Sequence, residues 1–149
     1  MKRSERLDVV QQATTRTERE HAERVAEAQR NVAQMEEKLA ALEKYRGEYE
    51  AGFATRSRAG FDAAGVRDFQ TFLARLGEAL TQQAELVIKA KAALEAERAL
   101  WRGAAQRAHV VDALAERWQG EETRAENRRD QNESDELSSQ RAAHRERMK

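Results

Sequence analysis

The stretch FQTFLARLGEALTQQAELVIKAKAALEAERALWRGAAQRAHVVDALAERW, residues 69–118, decides the fold because its hydrophobic side chains recur at alternating steps of three and four. This heptad pattern places them on one stripe of an α-helix and predicts a left-handed coiled coil. The stripe is wider than a minimal two-stranded seam, because further large hydrophobic residues flank it. The seam positions are Phe69, Leu73, Leu76, Leu80, Gln83, Val87, Ala90, Leu94, Glu97, Trp101, Ala104, Ala108, Val111, Ala115 and Trp118. The flanking residues are Phe72, Leu86, Leu100 and Leu114.

A second seam precedes the first, and a glycine-containing segment separates them. Its positions are Val25, Ala28, Val32, Met35, Leu39, Leu42, Arg46 and Tyr49. Residues 52–65 fit neither seam and predict a chain reversal, in which Gly60 and Gly65 supply positive backbone dihedrals. We therefore predict an all-α fold, a long antiparallel two-helix coiled coil or helical hairpin, with the C-terminal helix overhanging. Its single domain, 1–149, would have helix 1 at about 3–57, the tip at 58–65, helix 2 at about 66–140 and a frayed tail at 141–149.

A tip near residue 60 gives a rule for pairing, because the numbers of residues that face each other should total about 120. The seams follow this rule. Residues beyond about Trp118 then have nothing on the first helix to face, and both Trp101 and Trp118 are expected to pack in the seam. The expected pairs are Leu39 with Leu80, Val32 with Val87, Val25 with Leu94, Val10 with Val110 and Val111, and Leu7 with Leu114.

Composition excludes several classes of protein. Of 149 residues, 36% are charged, and proline and cysteine are absent, which is typical of long helices rather than a layered globule. Lys and Arg total 27, and so do Asp and Glu, so no single-sign field favours nucleic acid. No apolar run has the length of a membrane span or signal peptide, and we expect a cytoplasmic protein without direct membrane insertion.

No motif of an enzyme is present. His21, His109 and His144 lack the spacing of a metal pair, and the glycines form neither a phosphate loop nor a dinucleotide fingerprint. A two-helix coiled coil also lacks the concave pocket that enzymes use. The sequence therefore predicts no catalytic residue, no cofactor and no metal, and favours a protein that binds other proteins.

Aromatic residues gather near the expected tip. Under the pairing rule these residues lie together and cannot all point inward. They form either a cluster that closes the hairpin or a patch that binds a partner, since exposed aromatic residues are typical of interfaces. The residues are Tyr45, Tyr49, Phe69, Phe72, Leu73 and Leu76.

Four blocks of sequence, in order, resemble the FliJ family of the flagellar type III export apparatus. They cover nearly the whole chain. Tyr45, Arg46, Glu48 and Tyr49 form the first block; Phe69, Phe72, Leu73, Leu76, Ala79, Leu80, Gln82 and Gln83 form the second; Glu97, Arg98 and Trp101 form the third; Glu126, Asn127, Arg128, Asp130, Gln131, Asp135 and Glu136 form the fourth.

The resemblance implies a stalk that binds and helps to activate the hexameric export ATPase FliI, because FliJ proteins are similar to the gamma subunit of rotary ATPases. The loosely paired terminal half would enter the ring. The implied ring contacts are Ala13, Arg16, Glu20, Arg24, Arg124, Arg128, Gln131 and Asp135.

The resemblance also implies that the tip half binds the cytoplasmic domain of the export gate protein FlhA. Lys38 departs from the neutral polar residue that suits this patch. Contacts with FliH and with export chaperones are implied without residue-level support. The chain would be a monomer when free and peripheral to the inner membrane at the flagellar base. The implied gate contacts are Leu42, Tyr45, Tyr49, Phe72, Leu76, Ala79 and Gln83.

Two other functions fit the same pattern. The equivalent stalk of a virulence type III injectisome would use the same geometry with different partners. A generic structural coiled coil could instead self-associate, as a parallel dimer with residues 52–65 as a hinge.

Overall fold

The computed structural model describes residues 2–60 and 62–148, and in them the chain forms two α-helices. Helix α1 spans Arg3–Arg58 and helix α2 spans Ala63–Arg147. The predicted all-α fold of two long helices that pack against each other is confirmed. Contacts between residues divide the chain into two compact units, which we describe separately. The terminal unit consists of Met1–Glu18 and Ala104–Lys149, and the tip unit is Arg19–Gly103.

The connection between the helices is shorter than the sequence predicts. Helix α1 ends in a tight turn, in which the main-chain N–H of Ala59 donates to Arg56 and that of Gly60 donates to Ser57. Gly60 has a φ of 100°, as expected for a residue that terminates a helix in the left-handed region. Phe61, which the sequence placed in the tip, lies outside the described residues.

Helix α2 begins earlier than residue 66 because Asp62 caps it. The Asp62 side chain accepts a hydrogen bond from the main-chain N–H of Gly65 at 2.8 Å, which satisfies one free donor of the first turn. Gly65 is thus an ordinary helical residue, and the expectation of a positive φ there is wrong: Gly60 alone has one among the described residues.

The far end of α2 is also longer than predicted. Residues 141–147 are helical rather than frayed. They include good helix formers such as Ala142, Ala143 and arginines, with neither glycine nor proline to stop the helix. Basic side chains in the last turn also complement the negative end of the helix dipole.

The tip unit contains the more hydrophobic part of the seam. Leu76, Leu80, Val87, Ala90 and Leu94 of α2 are buried, at 6–8% exposed. The predicted seam residues of α1 are half-buried, except for Arg46, which is exposed. A pair of helices leaves the sides of its seam open, and this explains why α1 residues stay partly accessible. Trp101 is 36% exposed, so the expectation that it packs in the core is wrong.

Side-chain contacts confirm the antiparallel pairing in the tip unit. Gln83 contacts Met35, and Tyr49 stacks on Phe69. The residue numbers of each pair total 118, close to the expected 120. The chain therefore folds back on itself in this unit, instead of opening into the continuous helices of a parallel dimer.

The terminal unit has a seam of small and polar residues. Leu7 and Ser4 of α1 are buried, as are Ala104 and Ala115 of α2. Gln11 donates a hydrogen bond to Asp112 at 2.8 Å across this seam.

Of the three valines expected to face each other in the terminal unit, Val10 and Val110 are exposed and Val111 is half-buried, so their pairing stays a prediction. Val10 is 46% exposed and Val110 is 56% exposed. Both lie beside the seam, because the heptad that contains Leu7 and Gln11 places Val10 on its flank.

Candidate protein-binding surfaces

Five rings form an aromatic cluster in the tip unit. Tyr49 lies between the helices, with ring centroids 5.2 Å from Phe69 and 4.3 Å from Phe72. Phe53 stacks on Phe69 at 3.7 Å, and Tyr45 meets Phe72 edge-on at 6.1 Å. Each such pair contributes about 0.5–1.5 kcal/mol beyond the area it buries. The cluster therefore fastens the two helices together next to the turn.

The aromatic cluster also presents a surface. Tyr45 is 49% exposed, while the other four rings are half-buried. A shallow groove beside the cluster is lined by Phe53 and Phe69 and carries charges from Glu48, Arg56 and Asp68. The exposed Tyr45 thus fits the interpretation as an accessible patch, and the four half-buried rings fit the interpretation as a cluster that closes the hairpin.

The seven residues predicted to contact the export gate do not share one environment. Tyr45 is exposed, whereas Leu42, Tyr49, Phe72 and Ala79 are half-buried. The remaining two, Leu76 and Gln83, are buried in the seam at 7% and 9% exposed. A partner could reach the first five directly, and the last two would support them from beneath.

Gln83 has its own structural role. Its side-chain amide donates to the main-chain oxygen of Met35 at 3.0 Å and lies 3.5 Å from the sulfur of the same residue. A buried polar side chain with one fitting partner favours a single register of the two helices.

The eight residues predicted to contact the ATPase ring are all exposed. Within each group, spacings of three and four residues place the members on one face of their helix. Ala13 and Arg16 belong to the terminal unit together with the four α2 residues, Arg124, Arg128, Gln131 and Asp135. Glu20 and Arg24 belong to the tip unit, so the structure does not bring the set together in one unit.

A terminal clasp, which the sequence analysis missed, closes the terminal unit. Lys2 pairs with Glu126 at 2.6 Å, and Arg3 pairs with Glu121 at 2.9 Å. The guanidinium of Arg3 also lies 4.3 Å from the ring centroid of Trp118. The clasp consists of Lys2, which directly precedes α1, of Arg3 and Ser4 in α1, and of Trp118, Glu121, Glu122 and Glu126 in α2.

The clasp corrects the expected start of the overhang. Contacts with α1 continue to Glu126 instead of ending at Trp118, which is eight residues or about two turns further along α2 than the pairing rule predicts. A basic start opposite an acidic segment was the signal that could have revealed it. Beyond it, residues 127–148 are all exposed.

The contacts of the clasp shift the pKa values of two of its residues, Glu122 and Lys2. The Ser4 hydroxyl and main-chain N–H both donate to Glu122, which lowers the pKa of that carboxyl, with help from the nearby charges of Lys2 and Arg3. The hydrogen bond to Glu126, and then its charge, raise the pKa of Lys2. Both shifts stabilise the charged forms, so the clasp is complete at neutral pH.

An open apolar groove lies next to the seam of the terminal unit. Val9, 63% exposed, and Val10 form one wall, and Ala104 and Arg107 form the other. Ala13, one of the predicted ring contacts, also lines it.

One buried polar atom in the tip unit has no partner. Oε2 of Glu97, at a seam position, accepts no hydrogen bond from the residues that the structure describes. Such a group weakens the packing of the seam around it.

The described residues contain neither a membrane-spanning segment nor a metal site. Neither helix contains a segment long and apolar enough to cross a membrane. Within residues 2–60 and 62–148, no three His, Asp or Glu side chains converge as a metal site would require.

These features define an all-α helical hairpin with surfaces suited to binding proteins. The chain matches the family model described as "Flagellar FliJ protein" over residues 2–147, nearly its whole length, and it belongs to the FliJ family. It is thus a component of flagellar type III protein export. No curated protein and no solved structure is similar enough to match.

Proposed function

We propose that this protein is a stalk and adaptor, which binds and helps to activate the export ATPase FliI and links it to the export gate protein FlhA. Family membership supports a place in the export machinery. The observation that carries the rest is the aromatic cluster, which concentrates five of the eight aromatic residues of the chain and leaves Tyr45 half exposed.

The aromatic cluster is the proposed contact for the cytoplasmic domain of FlhA. Tyrosine combines a large apolar ring with a hydroxyl, and partly exposed tyrosines are enriched among residues that dominate binding energy. Leu42 and Ala79 would extend this contact on both helices, above the buried Leu76 and Gln83.

The terminal unit is the proposed contact for the ATPase ring. Its α2 residues Arg124, Arg128, Gln131 and Asp135 are exposed on a helix that has no partner beyond Glu126 among the described residues. Charged contacts of this kind are individually weak and depend on salt. This suits a stalk that must let the subunits of a ring change state around it. FliH and export chaperones are further candidate partners.

Hydrolysis by the purified ATPase, titrated with this protein, tests the activating role. The informative variant ends at Asn127, because it removes Arg128, Gln131 and Asp135 but retains the clasp through Glu126. We expect wild type to stimulate hydrolysis and the shortened chain to stimulate it less. Arg141→Glu is the matched control, since it changes an exposed tail charge outside the proposed contact. Equal stimulation by wild type and the shortened chain would contradict a contact on the tail.

The flagellar assignment is favoured over an injectisome stalk because the matching family model is flagellar.

A further inference from the structure

The terminal clasp holds a basic segment of the chain against one face of α2. This segment, residues 2–4, lies at the start of α1 and carries two cations. We name the surface that it contacts the acceptor face. The acceptor face consists of Trp118, Glu121, Glu122 and Glu126.

The acceptor face contacts each cation of the segment with a different group. Glu126 accepts a hydrogen bond from the Lys2 ammonium at 2.6 Å, and Glu121 accepts one from the Arg3 guanidinium at 2.9 Å. The same guanidinium lies over the ring of Trp118, 4.3 Å from its centroid. A carboxylate beside an aromatic face suits arginine, because the guanidinium can donate hydrogen bonds and stack at the same time.

The acceptor face also contacts the residue that follows the two cations. Glu122 accepts hydrogen bonds from both the main-chain N–H and the hydroxyl of Ser4. The chemistry that this surface binds is therefore a Lys-Arg pair followed by a residue with a hydroxyl group.

The arginines of α2 near the acceptor face do not neutralise it. Arg117 pairs with Glu121 at 3.3 Å within its own helix, and Arg124 donates to the main-chain oxygen of Gly120. Among the described residues, Glu126 forms an ion pair only with Lys2. The negative charge of the acceptor face is thus matched mainly by the basic segment itself.

The basic segment is held by contacts that exchange easily. The side chains of the two ion pairs are 41–54% exposed. Exposed ion pairs contribute little individually and weaken with salt. The segment also lies at the end of a helix, where local opening costs least, whereas Leu7 is buried in the seam about one turn further along α1. The segment can therefore leave the acceptor face while α1 stays paired with α2.

We propose that the acceptor face is a binding site for a basic segment of a partner protein, and that residues 2–4 occupy this site as an internal competitor in the free chain. The partner would share the chemistry of its competitor, a Lys-Arg pair followed by a hydroxyl. A tethered competitor lowers the apparent affinity of a site in proportion to the fraction of molecules in which the site is open. The clasp is then an autoinhibitory contact. None of its residues belongs to the proposed gate or ring contacts, so the inference goes beyond the proposed function.

A titration of the full chain with a synthetic peptide tests this inference. The peptide repeats residues 2–6, Lys-Arg-Ser-Glu-Arg, with both ends blocked. The indole N–H signal of Trp118 in nuclear magnetic resonance spectra follows binding, in chains that carry Trp101→Phe. The open variant is Lys2→Ala with Arg3→Ala. Its matched control is Arg6→Ala, which removes an exposed cation outside the clasp. Circular dichroism checks that each variant remains helical.

We expect the peptide to bind the open variant about tenfold more tightly than wild type, because the internal competitor is gone, and to bind Arg6→Ala as it binds wild type. Adding Glu121→Gln and Glu126→Gln to the open variant should weaken binding about tenfold or more. Glu133→Gln, at an exposed position of α2 outside the clasp, should leave it unchanged. Binding should also weaken as salt is raised.

Three results would overturn the inference. The first is an open variant that binds the peptide no more tightly than wild type, or not at all, since residues 2–4 would then not compete for the site. The second is binding that survives the loss of the carboxylates of Glu121 and Glu126. The third is equal binding of a peptide with alanine in place of Lys2 and Arg3. These measurements involve neither the ATPase nor the gate protein, so the proposed function stands or fails separately.

Discussion

The side-chain amide of Gln83 donates a hydrogen bond to the main-chain oxygen of Met35, 3.0 Å away on the opposite helix. This is a polar link in the most hydrophobic part of the seam, where Leu80 and Val87 are buried on either side. Its geometry fits one alignment of the helices, and a single polar residue in an apolar seam specifies register at some cost in stability.

Replacing Gln83 by leucine tests that role. The Met35 oxygen keeps its place in the ladder of α1, so we expect the free energy of unfolding to change by less than about 1 kcal/mol or to rise. Register specificity should fall, and concentration-dependent dimers should appear in sedimentation velocity. Gln82→Leu, at an exposed neighbouring position, is the control. A Gln83→Leu chain that remains wholly monomeric would contradict a role in register.

The aromatic cluster predicts unequal effects of its two tyrosines on stability. Tyr49 touches Phe69 and Phe72 and is half-buried, so Tyr49→Ala should lower the free energy of unfolding by about 2 kcal/mol. Tyr45→Ala should lower it by about 1 kcal/mol or less, because that ring is 49% exposed. Urea unfolding followed by circular dichroism measures both. Equal losses would mean that Tyr45 is mainly structural, which would weaken its case as a binding residue.

Glu97 offers a way to stabilise the hairpin. Its buried Oε2 lacks a hydrogen-bond donor among the described residues, so Glu97→Leu should remove a desolvated polar group and raise the free energy of unfolding by about 1 kcal/mol. Glu85→Leu, at an exposed position of the same helix, should change it by only a few tenths. A loss of stability in Glu97→Leu would show that this carboxylate has a compensating role in the seam.

The terminal clasp should open in acid. Glu122 has a lowered pKa in the folded chain, so its contribution to stability is present above the ordinary glutamate pKa of about 4.3 and is lost as the pH falls through its lower, folded value. Lys2 behaves in the opposite sense: its pKa is raised, and its contribution is lost only as the pH rises past that raised value. The contribution of the clasp to stability should therefore not change with pH around neutrality.

Fluorescence of Trp118, which lies under the Arg3 guanidinium, reports on the clasp when Trp101 is replaced by phenylalanine. We expect an acid transition below the ordinary glutamate pKa. Ser4→Ala should move the transition upward toward that value, because the largest cause of the shift is removed. If Ser4→Ala leaves the acid transition at the same pH, the transition belongs to a carboxyl other than that of Glu122.

The sequence predicts the fold well because the heptad period alone fixes which face of each helix is buried. The line from Leu76 to Leu94 is buried as its spacing requires. Gly60 likewise marks the turn, since few other residues adopt its φ. The helix ends were less predictable, because Asp62 acts through a local hydrogen bond that periodicity does not encode.

The surfaces were only partly predictable, since seam membership and accessibility are different properties. The family resemblance assigns Tyr45 and Gln83 to the same contact, yet Tyr45 is exposed and Gln83 is buried against Met35. The clasp escaped prediction because the numbers of paired residues in the terminal unit do not keep the expected total of 120: Gln11 and Asp112 total 123, and Lys2 and Glu126 total 128. Partner identity depends on the family match, since nothing in a heptad pattern names a partner.

The most direct test of the account is a crossed binding measurement with two partners and two variants. Tyr45→Ala changes the aromatic cluster, and the chain that ends at Asn127 lacks most of the proposed ring contacts on the tail. The account predicts that Tyr45→Ala weakens binding of the FlhA cytoplasmic domain and leaves ATPase binding intact. The shortened chain should bind the ATPase more weakly and the FlhA cytoplasmic domain as tightly as wild type does. If each variant affected both partners equally, or neither, the separate assignment of the two surfaces would be wrong.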